Sequence, residues 1–181
     1  MSKTDEQLMQ QYCAGDAAAF DTLYARYRGP VFRYVQRLCA QCIESEELYQ
    51  DVWVRMVRAR DQWQDHQAFS PWLFRIAHNR VVDHFRSMGK AELLEINEPE
   101  AIPGSGLLPE ALALLRDCVE RLMALLGELP ENQRSAFLLK EEAGLSLAQI
   151  GEVTGVERET VKSRLRYALK RLRSNLEGCD D

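Results

Sequence analysis

Residues Leu129 to Arg173, LPENQRSAFLLKEEAGLSLAQIGEVTGVERETVKSRLRYALKRLR, decide the fold of the chain's second half. Gly155 stands where a tight turn needs a residue free to take positive φ, and Ile150 and Val156 flank it with apolar contacts that hold two helices at a steep angle. The pattern is that of a helix-turn-helix whose last helix reads DNA. In that helix Val161, Leu165, Ala168, Leu169 and Leu172 recur at helical spacing and predict one buried stripe. The opposite face then offers Arg158, Glu159, Ser163, Arg166 and Lys170, flanked by Lys162 and Tyr167, to a phosphate backbone and base edges.

The net charge of −5 over 181 residues does not suit a nucleic-acid binder, but its distribution does. Between Val156 and Leu176, seven basic residues oppose only Glu157 and Glu159. An acidic remainder weakens nonspecific binding by the free chain, which fits a protein that reads DNA with a partner already in place. No window approaches the roughly 20 apolar residues that span a bilayer, so no membrane insertion is expected. The opening MSKTDEQLMQQYC lacks the apolar core of a secretory signal; Thr4-x-x-Gln7 reads as a helix capping box, and a cytoplasmic chain is expected.

Every Phe, Tyr and Trp except Phe137 and Tyr167 lies between Tyr12 and Phe85, which marks a domain boundary. The stretch from Gly89 to Pro109 is rich in Pro, Gly and Glu and has no sustained period, so it reads as an acidic linker joining residues 1–88 to residues 110–177. At roughly 3.3 to 3.6 Å per residue it reaches at most about 70 Å, near two turns of B-DNA. Only helix signals occur on either side. Asp16 caps one helix, Gly29-Pro30 places proline in the first turn of the next, and Ser45 and Ser70-Pro71 open two more. In the second half Gly127 and Pro130 separate two helices, Gly144 closes one and Ser146 caps another. The expected fold class is all-α, two small helical domains joined by a flexible linker.

Two further segments carry candidate chemistry. In SPWLFRIAHNRVVDHFRS, Ser70 to Ser87, the residues Trp72, Leu73, Ile76, Ala77, Val81 and Phe85 predict a core face, and Arg75, His78, Asn79, Val82, Asp83 and Arg86 recur opposite. The preceding polar loop has Trp63 and Phe69 at its ends, a composition used to stack unpaired bases. In SEELYQDVWVRMVR, Ser45 to Arg58, two apolar stripes leave Glu47, Gln50, Asp51, Arg55 and Arg58 for solvent or a partner. Cys39 and Cys42 form a CxxC, but no second pair or neighbouring histidine completes a zinc site in sequence, and five unevenly placed cysteines suit packed thiols in a reducing compartment. With no nucleophile-base pair or metal-ligand set at recognisable spacing, neither catalysis nor a cofactor or metal is expected.

In this order and at these separations, SEELYQDVWVRMVRA, SPWLFRIAHNRVVDHFR and the helix-turn-helix resemble the extracytoplasmic-function sigma factors, the two-domain minimal form of RNA polymerase sigma subunits. The resemblance implies that Glu47, Gln50, Asp51 and Arg55 dock on core RNA polymerase. It implies that Trp63, Phe69, Arg75, His78, Asn79 and Arg86 open and read the proximal, minus-10 element of promoter DNA. Arg158, Glu159, Lys162, Ser163, Arg166, Tyr167 and Lys170 would read the minus-35 element. An anti-sigma factor is a further expected partner. Two alternatives stay open on the residues alone: a stand-alone helix-turn-helix regulator with an N-terminal sensor domain, and a thiol redox protein using Cys39 and Cys42, which lacks the βαβ context of thioredoxin-like motifs.

Overall fold

A computed structural model describes residues 3–40, 42, 44–88 and 110–176, so the expected linker lies outside the described residues. These residues form helices and no strand. Helix α1 (Asp5–Cys13) opens on the expected capping box, in which the Gln7 amide donates to Thr4 Oγ1 and the Thr4 amide to Gln7 Oε1. Helix α2 (Ala17–Leu38) starts at Asp16, whose carboxylate accepts from the Ala18 amide at 3.0 Å. It then runs straight through Gly29-Pro30, so the expected helix start there is corrected. Proline forfeits one helical hydrogen bond, but Ala19, Leu23, Val31, Tyr34, Val35 and Leu38 are all buried, and that continuous core face outweighs the local break.

Helices α3 (Ser45–Arg58) and α4 (Phe69–Met88) pack against α2, with a single 3-10 turn, Arg60–Gln62, between them. Their core is Leu48, Val52, Met56, Phe69, Leu73, Phe74, Ala77 and Val81. Phe74 was not expected there. All three tryptophans, Trp53, Trp63 and Trp72, belong to this first domain, and Tyr24 meets Trp53 edge-on at 4.8 Å between ring centroids.

The second domain comprises α5 (Glu110–Glu128), α6 (Glu131–Glu141), α7 (Leu147–Thr154) and α8 (Arg158–Asn175). Helix α5 continues through Gly127, and Pro130 alone marks the break. Ser146 caps α7, as expected, and Gln149 completes a second capping box that was not expected. Gly155 adopts φ 70°, ψ 32°, the left-handed conformation the turn requires. Gly151 is demanded by a different constraint, because a Cβ there would stand 2.6 Å from the Val156 carbonyl oxygen. Thr154 keeps its hydroxyl satisfied by donating to the Ile150 carbonyl at 2.7 Å. On α8, Val161, Ala168 and Leu172 are buried, but Leu169 is exposed. The stripe therefore narrows towards the end of the helix, and this part of the expectation is corrected.

The two domains share one hydrophobic core, with Ala136, Leu138, Leu139, Ile150 and Val161 continuous with the core of α2–α4. Polar contacts stitch the seam. Glu142, its side chain nearly buried, accepts from Arg33 Nε at 2.6 Å and from Arg37. The Tyr34 hydroxyl lies 3.0 Å from His78 Nδ1 and 3.3 Å from Ser135 Oγ, and that hydroxyl is itself 3.1 Å from His78 Nδ1. Small domains bury a modest fraction of their surface alone, and docking supplies more.

The cysteines depart from the expectation of free thiols. Cys39 and Cys42 are joined as a disulfide and Cys118 is also disulfide-bonded, whereas Cys13 is free. After the last turn of α2, Ala40 turns back with φ 52°, which brings the Cys39 and Cys42 Cα atoms to 5.4 Å, within bridging range.

Candidate nucleic-acid interface

Helix α8 presents the face expected to read the upstream element. Arg158, Glu159, Lys162, Arg166, Tyr167 and Lys170 are exposed, and Ser163 is half-buried at its edge. Lys162 pairs with Glu159 at 3.5 Å, and the Arg166 guanidinium lies 5.2 Å from the centroid of the Tyr167 ring. These contacts pre-order two cations without burying them. Arg166, Leu169, Lys170 and Arg173 also line a shallow groove with Leu147, a surface of positive charge over an apolar floor. That combination can meet phosphates and base edges together.

The α4 face is arranged differently. Asn79 and Arg86 are exposed, but Arg75 Nη2 donates to the Glu152 carbonyl at 2.7 Å, so it is held by α7. His78 lies at the domain seam, where burial foremost and the charges of Arg164 and Arg86 next push its pKa down to about 4. Its ring is neutral at pH 7. Arg75, His78, Asn79 and Arg86 thus line one side of a groove whose other side is Thr154 and Gly155 of the helix-turn-helix.

The loop before α4 does not offer its aromatic rings. Trp63 is 7% exposed, and Phe69 is wholly buried as the first residue of α4, between Tyr27 and Trp72 at 5.2 and 6.0 Å. Stacking on an unpaired base needs an accessible ring face, so in this arrangement both rings are core and Gln64, Asp65 and His66 form the exposed surface. Periodicity could not separate these cases, because an aromatic at a loop end suits either.

On α3, Glu47, Gln50 and Arg55 are exposed. Asp51 is half-buried and tied to Arg80 of α4 and, at 3.1 Å, to Arg55. Burial alone would raise its pKa, but hydrogen bonds from Arg80 and Arg55 hold the carboxyl below its usual range. Asp51 is therefore a brace between α3 and α4 as well as a surface charge. Sequence reasoning missed Val54, 44% exposed beside Gln50 and Glu47; an aliphatic outside both apolar stripes was its one available signal. Away from these faces, Cys39, Cys42 and His84 are the group of side chains with metal-ligand chemistry among the described residues.

The family model for Sigma-70 region 2 matches residues 23–91, and that for Sigma-70, region 4 matches residues 119–172. The chain is 31% identical to the RNA polymerase sigma-H factor of Pseudomonas aeruginosa, over 89% of this chain and 88% of that one. It is 32% identical to the ECF RNA polymerase sigma factor SigK of Mycobacterium sp. (strain KMS), over 93% and 89%. In fold it is similar to the sigma factor RpoE of Bartonella quintana, solved in complex with the anti-sigma factor NepR, with a TM-score of 0.74, 20% identity and coverage of 90% and 98%. Two helical domains of this make, the second a helix-turn-helix with an exposed basic reading helix, define a sigma-70-type transcription initiation factor. The chain belongs to the extracytoplasmic-function (ECF) sigma factors.

Proposed function

We propose that residues 110–177 read the minus-35 element through Arg158, Glu159, Lys162, Ser163, Arg166, Tyr167 and Lys170, while residues 1–88 dock on core polymerase and handle the minus-10 element. The observation that carries this division is the contrast between the two faces: α8 is open to solvent, whereas Arg75 and His78 of α4 are held against the second domain. Glu47, Gln50 and Arg55, joined by the exposed Val54, supply the docking surface; Asp51 contributes by fixing α3 on α4. Reading both elements then requires the domains to part, with the 89–109 linker spanning them. Parting frees Arg75 and His78 and opens the groove beside the already exposed Asn79, and Trp63 and Phe69 reach bases only if the loop before α4 also rearranges.

The chain supplies binding energy and no catalytic group; polymerase makes the phosphodiester bonds, in the cytoplasm. Stacking of about 1 to 3 kcal/mol per base helps offset the unstacking of a melted strand. An anti-sigma protein is a fitting antagonist, since the compact arrangement leaves the docking surface of α3 available to a competitor. The test is reconstitution with core polymerase and run-off transcription on genomic fragments. Initiation at a discrete promoter set supports the reading, and tight binding of the isolated chain to a palindromic duplex, as a dimer at physiological salt, would replace it with a stand-alone regulator.

A further inference from the structure

Three side chains from distant parts of the sequence converge where α2 ends and the second half of α4 passes behind it. Cys39 closes α2, Cys42 lies in the connection to α3, and His84 projects from α4. One ligand atom from each, two sulfurs and one imidazole nitrogen, lies within 4.8 Å of the others. His84 Nε2 is buried and has no hydrogen-bond partner. Glu44 Oε2 stands 4.0 Å from it, beyond hydrogen-bond reach. A buried ring nitrogen left unpaired is costly, and buried polar atoms are nearly always satisfied.

We propose that in the reduced chain Cys39, Cys42 and His84 bind a thiophilic divalent cation of the zinc class, with the Glu44 carboxylate placed to complete the shell. Two thiolates and an imidazole select zinc over magnesium or calcium, and a Cys-x-x-Cys pair joined by a distant histidine is a common zinc ligand pattern. Zinc–sulfur bonds of about 2.3 Å and zinc–nitrogen bonds of about 2.0 Å place tetrahedral ligand atoms roughly 3.5 to 3.8 Å apart. Once the disulfide is reduced the two sulfurs must part to that spacing, and the His84 nitrogen, within 4.8 Å of them, must close by about 1 Å. The cation would fasten the end of α2 and the start of α3 to the back of α4, the helix whose far face carries Asn79.

The disulfide and the metal are exclusive occupants of the same sulfurs. Reduction by a phosphine delivers two electrons, the phosphine leaving as its oxide with oxygen from water, and two protons convert the disulfide to two thiols. Cation binding then releases about two protons, because thiols are largely protonated near pH 7.

The experiment uses the full chain, reduced with a phosphine, and cobalt(II) as the probe. A tetrahedral ligand-field spectrum with thiolate charge transfer should grow to one equivalent and be displaced by zinc. A Cys13→Ser, Cys118→Ser, Cys179→Ser variant should keep that spectrum, whereas His84→Ala should weaken binding by more than ~100-fold and Glu44→Gln by about 10-fold. Should His84→Ala fail to fold, zinc-edge X-ray absorption on the parent chain decides by itself: two sulfurs with nitrogen or oxygen support the site, three or four sulfurs overturn it. The proposal also fails if the reduced chain gives no tetrahedral cobalt spectrum, or if a folded His84→Ala chain retains it unchanged.

Discussion

Gly151 and Gly127 both lie inside helices, and alanine should affect them in opposite ways. At Gly151 the added methyl meets backbone 2.6 Å away, so α7 and the start of α8 must separate; Gly151→Ala should cost about 1 to 3 kcal/mol in urea unfolding. Nothing lies within 4 Å of a Cβ at Gly127, and Gly127→Ala should leave stability unchanged or raise it by about 0.5 kcal/mol. On α8, Arg166 and Lys170 are both exposed but suit different targets. Arg166→Ala should flatten preference at one upstream position, a loss of about 1 to 3 kcal/mol in discrimination. Lys170→Ala should weaken all promoters alike and lower the salt slope by about 0.9 in titrations with the polymerase-bound protein.

Among elements, α3 shows how one helix face divides into two duties. Asp51→Arg would break the brace to Arg80 and Arg55, so lost polymerase affinity in that variant should come with a lower unfolding midpoint. Val54→Asp places its charge in solvent and should weaken polymerase binding in a pull-down titration with the midpoint nearly unchanged. The capping box at Thr4, the cap at Ser146 and the turn at Gly155 were legible in sequence because each is settled by residues within four positions. The uninterrupted run of α2 through Pro30 was not, since it depends on what Val31 and Tyr34 meet from other helices. Leu169 shows the same limit from the other side: its spacing is right, but it stays exposed, lining the open groove with Leu147.

At the scale of the molecule, the domain seam should respond to pH. His78 has a folded value of about 4 against an unfolded value near 6.5, so folding favours the neutral ring. Its contribution is complete above about pH 6.5 and is lost as pH falls towards 4, amounting to about 3 kcal/mol at pH 4. Chemical denaturation at intervals from pH 7 to 4 should show this loss, and His78→Gln should remove that part of the slope. The seam itself was invisible to sequence reasoning. Glu142 meets Arg33 and Arg37 across more than a hundred residues, and only packing of α6 on α2 joins them. His84 reaches Cys39 and Cys42 in the same way, so the cysteine pair looked solitary along the chain.

The confinement of Trp53, Trp63 and Trp72 to the first domain makes indole emission a built-in optical label for that half alone. Excited at wavelengths that spare tyrosine, α5–α8 are dark, yet they contribute fully to far-ultraviolet circular dichroism. Superimposable melting curves from the two signals would mean that the halves come apart as one cooperative unit. A gap between them would measure, without any attached dye, how much of the second domain's order is borrowed from the first.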